Sequence, residues 1–121
     1  MRTMLAVLGS VGLTIVALVF FVEYMKARNR TLPLNHAVGL RTKAIMRNES
    51  TWAETHRRYA PIFLIDGLLF LFGGLYLGAS VVFTKLSDSA NYVVLAACCL
   101  VVLVNISIGL KATHFARGLN E

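Results

Sequence analysis

The chain has 121 residues, of which 57% are hydrophobic and only 15% are charged. Soluble domains are roughly half apolar and about a quarter charged, so this composition excludes an ordinary soluble domain and indicates a membrane protein. The net charge of +6 does not indicate nucleic-acid binding, because eight of the twelve Lys and Arg residues fall between Lys26 and Arg58 and no nucleic-acid-binding motif accompanies them. Such a cluster is typical of a cytoplasmic loop that also attracts anionic lipid headgroups.

Three apolar segments predict transmembrane helices at about residues 3–25, 59–84 and 90–110. The first contains an uninterrupted run of 20 uncharged residues, which at 1.5 Å per residue covers about 30 Å, the thickness of a bilayer core. It is longer than the apolar core of a secretory signal and lacks a small-residue cleavage site, so we expect it to be retained. We therefore predict an all-α membrane protein in which residues 1–121 form a single three-span domain.

The polar segment between the first two spans, residues 26–58, is predicted to be an ordered, partly helical cytoplasmic loop. Residues 42–48 fit a short amphipathic helix that lies in the headgroup region with its apolar side towards the membrane. Thr51 and Glu54 fit a capping box with Thr51 as the N-cap of a helix that runs towards the second span.

The boundaries of the last two spans are also indicated by sequence. Pro61 lies ten residues after Thr51, too deep for a first-turn proline, so we expect a kink or break near Ala60. Residues 111–121 are predicted to form a basic, frayed tail.

Two features within the spans are candidates for interactions. Asp66 and Asn105 should lie at similar depth, and an acid at that depth needs a partner, so they form either an interhelical hydrogen bond or a ligand or proton site. Gly74 and Gly78 form a small-xxx-small pattern that lets another helix approach closely, unless they only reflect the high glycine content of membrane helices.

The central loop resembles the SdpI family of bacterial membrane proteins, in which an Asn, a G-[IL]-R-T segment, and then a Trp and a His recur at similar spacing. The family usually has a proline after the R-T pair, where this chain has Lys43. The resemblance runs from about Thr31 to the third span. The positions that carry it, and that form the candidate binding motif, are Asn35, Gly39, Arg41, Thr42, Asn48, Trp52 and His56.

The resemblance implies a non-catalytic protein of the bacterial plasma membrane that protects against a toxin peptide and signals its presence to a cytoplasmic regulator. The immunity protein that gave the family its name is longer, so this chain corresponds to its C-terminal type of module. The alternative is a small accessory subunit of a larger envelope complex, with its glycine face buried by another protein.

Individual motif residues have alternative interpretations. Arg41 either binds a phosphate or carboxylate in bidentate fashion or bonds to nearby backbone carbonyls. Trp52 is expected to anchor the loop at the membrane interface. His36 and His56 have no third ligand at metal-binding spacing, and Ser50, Glu54 and His56 are close in sequence without an oxyanion hole, so we expect no metal, no cofactor and no catalytic site.

The uneven distribution of Lys and Arg predicts the topology: N-terminus outside and C-terminus inside. Reporter fusions should place residues 30–58 and Glu121 in the cytoplasm, and Met1 and Lys85 outside. A signal from the outer side for a fusion within residues 30–58 would contradict this orientation.

Overall fold

We obtained a computed structural model of the protein, which describes residues 2–33 and 40–119. The helices are α1 (Arg2–Arg28), α2 (Glu49–Arg58), α3 (Pro61–Val82) and α4 (Ser87–Gly118), and a 3-10 turn at Thr84–Leu86 joins α3 to α4. The helices α1, α3 and α4 are long and apolar enough to cross a membrane. The prediction of an all-α membrane protein with three spanning helices and a partly helical loop is confirmed.

Helix α3 lies in the middle of the bundle, between α1 and α4, and glycines set its distance from α1. A Cβ atom added at Gly74 would lie 2.9 Å from Oγ1 of Thr14 and 3.2 Å from the carbonyl oxygen of Ser10. A Cβ atom added at Gly78 would lie 2.8 Å from Oγ of Ser10, and this hydroxyl donates a 2.7 Å hydrogen bond to the Gly74 carbonyl. The glycine face therefore makes a close helix contact, but the helix that covers it belongs to the same chain.

Helix α1 ends in a Schellman motif, which turns the chain towards the loop. The N–H of Thr31 donates to the carbonyl of Lys26 over 2.8 Å, and that of Arg30 donates to Ala27 over 3.2 Å. Arg30 has a φ of 59°, the left-handed conformation for which glycine is usually chosen. The side chain of Arg30 forms a 2.9 Å ion pair with Glu54 of α2.

The helical structure is interrupted between α2 and α3, and the predicted break near Ala60 is confirmed. Helix α2 ends at Arg58, and Pro61 occupies the first turn of the new helix α3, where the missing N–H of proline is not needed. The break separates α2 from the span, and α2 contacts both α1 and α4.

The prediction of a frayed tail after residue 110 is wrong. Helix α4 continues to Gly118, and both Ala112 and Ala116 are fully buried. These two residues lie one turn apart on the same face, and their small side chains let the loop pack closely on α4.

The core lies at the loop end of the bundle. We call residues 40–60 the cap, because this segment contacts the ends of α1 and α4 and covers the start of α3. Most of the large apolar side chains of the spans are exposed, as expected where lipid surrounds the protein. The residues buried together at the cap are Ala27, Leu32, Ile45, Trp52, Ala60, Ile62, Phe63, Ala112 and Ala116.

The glycine contact yields a matched pair of variants. Gly74→Ala should destabilise the bundle by about 1–3 kcal/mol, because the new methyl group meets the backbone of α1. Gly12→Ala is the control, since nothing lies within 4 Å of a Cβ atom at that position. Equilibrium unfolding in mixed micelles measures both, and an equal loss of stability in the two variants would contradict the close α1–α3 contact.

Candidate functional site

The helix of the cap begins at a different residue from the one predicted. Asn48 is the N-cap of α2, and its Oδ1 accepts a 2.8 Å hydrogen bond from the N–H of Thr51. The prediction of Thr51 as N-cap is therefore wrong. Both residue types cap helices well, but Asn ranks above Thr, and a start at Asn48 lengthens the helix by nearly a turn. The hydroxyl of Thr51 instead accepts a 3.1 Å hydrogen bond from Arg47.

Trp52 is a core residue of the cap. Its side chain is 1% exposed, and its indole N–H donates a 2.9 Å hydrogen bond to the carbonyl of Leu32, just after the end of α1. The expectation of an interfacial anchor is wrong, because an enclosed indole reaches neither headgroups nor water. Trp52 instead ties α2 to the segment that leaves α1.

His56 has both ring nitrogens engaged by backbone groups. Its Nε2 accepts from the N–H of Leu40 over 2.9 Å, which requires Nε2 to be unprotonated. Nδ1 therefore carries the proton and donates to the carbonyl of Trp52 over 2.8 Å. The imidazole is fully buried, with its centroid 4.0 Å from that of the Trp52 ring. Burial lowers the pKa of His56 below its usual value, although the hydrogen bond to Trp52 acts in the opposite direction.

The segment at residues 42–48 forms a single turn rather than the short surface helix that we expected. The N–H of Met46 donates to the carbonyl of Thr42 over 2.9 Å, and Ile45 between them is fully buried in the core. The apolar side of this turn thus faces protein instead of lipid. The Oγ1 atoms of Thr42 and Thr113 are hydrogen-bonded at 3.0 Å, which attaches the turn to α4.

The structure brings together four of the predicted motif positions: Thr42, Asn48, Trp52 and His56. Each of them contributes a hydrogen bond that shapes the cap or attaches it to a neighbouring segment. Arg41 is exposed and engaged within the chain. The motif positions Asn35 and Gly39, and the neighbouring His36, lie outside the described residues.

Asp66 and Asn105 meet inside the bundle. The amide Nδ2 of Asn105 donates to Oδ1 and Oδ2 of Asp66 at 2.8 and 3.0 Å, and to the carbonyl of Val101 at 2.7 Å. The side chain of Asp66 is buried. The pairing joins α3 to α4.

The residues of a hydrolase triad are not assembled in the cap. Ser50 is exposed, whereas His56 is buried and bonded to backbone through both nitrogens. Glu54 forms ion pairs with Arg57 at 2.6 Å and Arg30 at 2.9 Å. The hydrogen bond from Arg57 and the charges around Glu54 lower the pKa of this carboxyl, so it acts as a structural anion.

Two further features are not evident from the sequence patterns. Glu23 of α1 is 8% exposed, and its Oε2 finds no hydrogen-bond partner in the described part of the chain. In the sequence it reads only as the end of an apolar run.

At the opposite end of the bundle from the cap, a cavity of about 400 Å³ lies between α1, α3 and α4. The polar residues that line this end cavity are Arg2, Thr3, Ser80, Thr84, Ser87 and Asn91.

Comparison with known proteins gives one match. The family model of the SdpI/YfhL protein family matches residues 31–109, which include the cap, all of α3 and most of α4. The matched region begins after α1. No match was found among curated proteins or among solved structures.

The buried His56 makes the cap sensitive to acid. Its pKa in the folded protein lies below the usual value of about 6.5, so the unfolded chain binds more protons as the pH falls below that value. The stability from neutral His56 is complete above about pH 6.5 and decreases from there to the lower folded pKa. Amide protection factors for Leu40 and residues 52–56, corrected for intrinsic exchange, should therefore fall between pH 7.5 and 5.

His114→Gln is the control for this titration, because His114 is exposed on α4. The His114→Gln variant should keep the pH dependence of the amide protection factors, and the His56→Gln variant should lose most of that dependence. Unchanged protection of residues 52–56 down to pH 5 would contradict a neutral, buried His56.

Proposed function

Because the chain belongs to the SdpI/YfhL protein family, we propose that it is a non-catalytic immunity protein of the bacterial plasma membrane. In this proposal it binds a toxin peptide at the membrane, and its cap presents the signal to a cytoplasmic regulator. The observation that carries the proposal is the ordered cap. Four family motif residues, Thr42, Asn48, Trp52 and His56, form hydrogen bonds that build this structure at one end of a three-span bundle.

The distribution of charge supports the proposed orientation. The cap end carries most of the Lys and Arg residues, which by the positive-inside rule favours a cap in the cytoplasm and an end cavity outside. A secreted peptide arrives from the outer side. The end cavity offers it an arginine and several hydroxyl and amide groups beside apolar walls, which suits the terminus or a polar side chain of an apolar peptide.

The alternative of an accessory subunit loses its main support. That interpretation depended on a glycine face covered by another protein, and Gly74 and Gly78 are covered by Ser10 and Thr14 of α1. Exposed apolar side chains remain on all three spans, as expected for helices surrounded by lipid.

Protection against a toxin tests the proposal directly. The gene should be expressed in a sensitive bacterium that is challenged with the killing peptide of the SdpI system, and survival should exceed that of cells with an empty vector. Arg2→Gln should reduce protection, because it removes the cation of the end cavity. Lys85→Gln is the matched control, since Lys85 is an exposed cation near that end but does not line the cavity. Absence of protection by wild-type protein that accumulates in the membrane would contradict the immunity role.

The same assay distinguishes structural from functional roles of Asp66. Asp66→Asn keeps an acceptor for Asn105, so we expect normal accumulation and full protection. Asp66→Leu removes the acceptor at a cost of about 0.6 kcal/mol, the average for membrane hydrogen bonds, and should also protect. A folded Asn variant that does not protect would show that the charge of Asp66 is used.

A further inference from the structure

A second surface depression lies where the cap meets the last span. We call it the α2–α4 groove; it has a volume of about 470 Å³ and is wide open to the surroundings. Two separate helices contribute its walls, so the groove exists only because α2 is folded onto α4. Its lining residues are Arg58, Tyr59, Leu110, Lys111, His114 and Phe115.

In the described part of the chain, the cations of this groove form no direct ion pair with an acidic side chain. Within residues 2–33 and 40–119, the side-chain ion pairs are Arg30–Glu54 and Arg57–Glu54. Glu54 is therefore occupied by two other arginines. Arg58 and Lys111 are both exposed, and no acidic residue among those that the structure describes lines the groove. The groove thus presents two positive charges and an imidazole, that of His114, to whatever enters it.

Arg58 is held in a position that suits an anion. Its guanidinium carbon lies 4.8 Å from the ring centroid of Phe115 and 5.9 Å from that of Tyr59. The two rings meet edge to face at 5.9 Å. Contact with aromatic rings uses the flat face of a guanidinium and leaves its N–H groups, which point outward in the plane, available for bidentate bonding to a phosphate.

The groove also extends from the apolar part of α4 to its basic part. Leu110 is 70% exposed and belongs to the apolar part of α4, whereas Lys111 is the next residue along the chain. A free inorganic ion would use the basic part and leave the apolar part uncovered. A phospholipid fits both parts, because its phosphate lies at the level of the cations while its acyl chain runs along the apolar surface of the span.

We propose that the α2–α4 groove binds the headgroup phosphate of an anionic phospholipid, with Arg58 and Lys111 as its ligands. This site is more specific than a general attraction of the basic loop to the membrane. Of the twelve Lys and Arg residues, only Arg58 and Lys111 bind the phosphate. The bound lipid joins the cap to α4 at the membrane surface and thereby fixes the height of the cap relative to the bilayer.

The proposal is tested by native mass spectrometry of the purified full chain in micelles that contain phosphatidylglycerol or phosphatidylcholine. We expect retained phosphatidylglycerol and little retained phosphatidylcholine. The Arg58→Gln/Lys111→Gln variant should bind phosphatidylglycerol at least about tenfold more weakly, because it removes both cations that bond to the phosphate. The Lys26→Gln/Arg28→Gln variant is the control; it loses two exposed cations at the end of α1 outside the groove and should bind like wild type.

Further measurements keep the outcome unambiguous. Lys111→Gln alone should weaken binding at least about threefold. This single variant keeps the contact between Arg58 and Phe115, so it tests the proposal even if the double variant fails to fold. Equal losses in groove and control variants would overturn the proposal in favour of non-specific attraction. Complete displacement of the lipid by millimolar inorganic phosphate would overturn it in favour of a free-anion site.

Discussion

The buried indole of Trp52 is the contact on which the cap depends. It donates a hydrogen bond to the carbonyl of Leu32, and its ring centroid lies 4.0 Å from that of His56, with the two rings tilted. It also lies in the same cluster as residues from α1, α3 and α4. A loop of this polarity would remain a solvated tether without a large apolar group to bury. Truncation of a core tryptophan to alanine typically costs about 3–5 kcal/mol, which is a large part of the stability of a small domain. The cap, which forms one wall of the α2–α4 groove, is thus packed around this side chain.

Different forces hold the two halves of the molecule. In the spans, lipid is as apolar as the side chains, so close backbone contact and interhelical hydrogen bonds provide the attraction. The Ser10–Gly74 and Asp66–Asn105 bonds and the glycine face of α3 are of this kind. The cap carries the polar part of the chain, and burial of Trp52 and Ile45 is driven by the hydrophobic effect. The two halves join at the level of Pro61, where α2 ends and α3 begins.

Local patterns in the sequence predicted the features that depend on local chemistry. Length and hydropathy predicted the spans, the proline predicted the break at Ala60, and distance along the helices predicted that Asp66 and Asn105 lie at the same level. Features that depend on tertiary contacts were missed. An interfacial and a buried tryptophan look alike in sequence, and two good N-cap residues three positions apart cannot be ranked without the rest of the fold. The small residues Ala112 and Ala116, one turn apart in a segment that we expected to be frayed, were the available signal that α4 continues.

Fluorescence of Trp52 tests the account most directly, because it is the only tryptophan in the chain. The protein should be reconstituted in bilayers and exposed in turn to iodide in the water and to lipids brominated near the headgroups. An indole enclosed by protein predicts blue-shifted emission that neither quencher reduces strongly, and red-shifted, iodide-sensitive emission once the cap is unfolded by denaturant. Strong quenching of the native protein by the brominated lipids, or by iodide, would contradict a cap that is folded around Trp52.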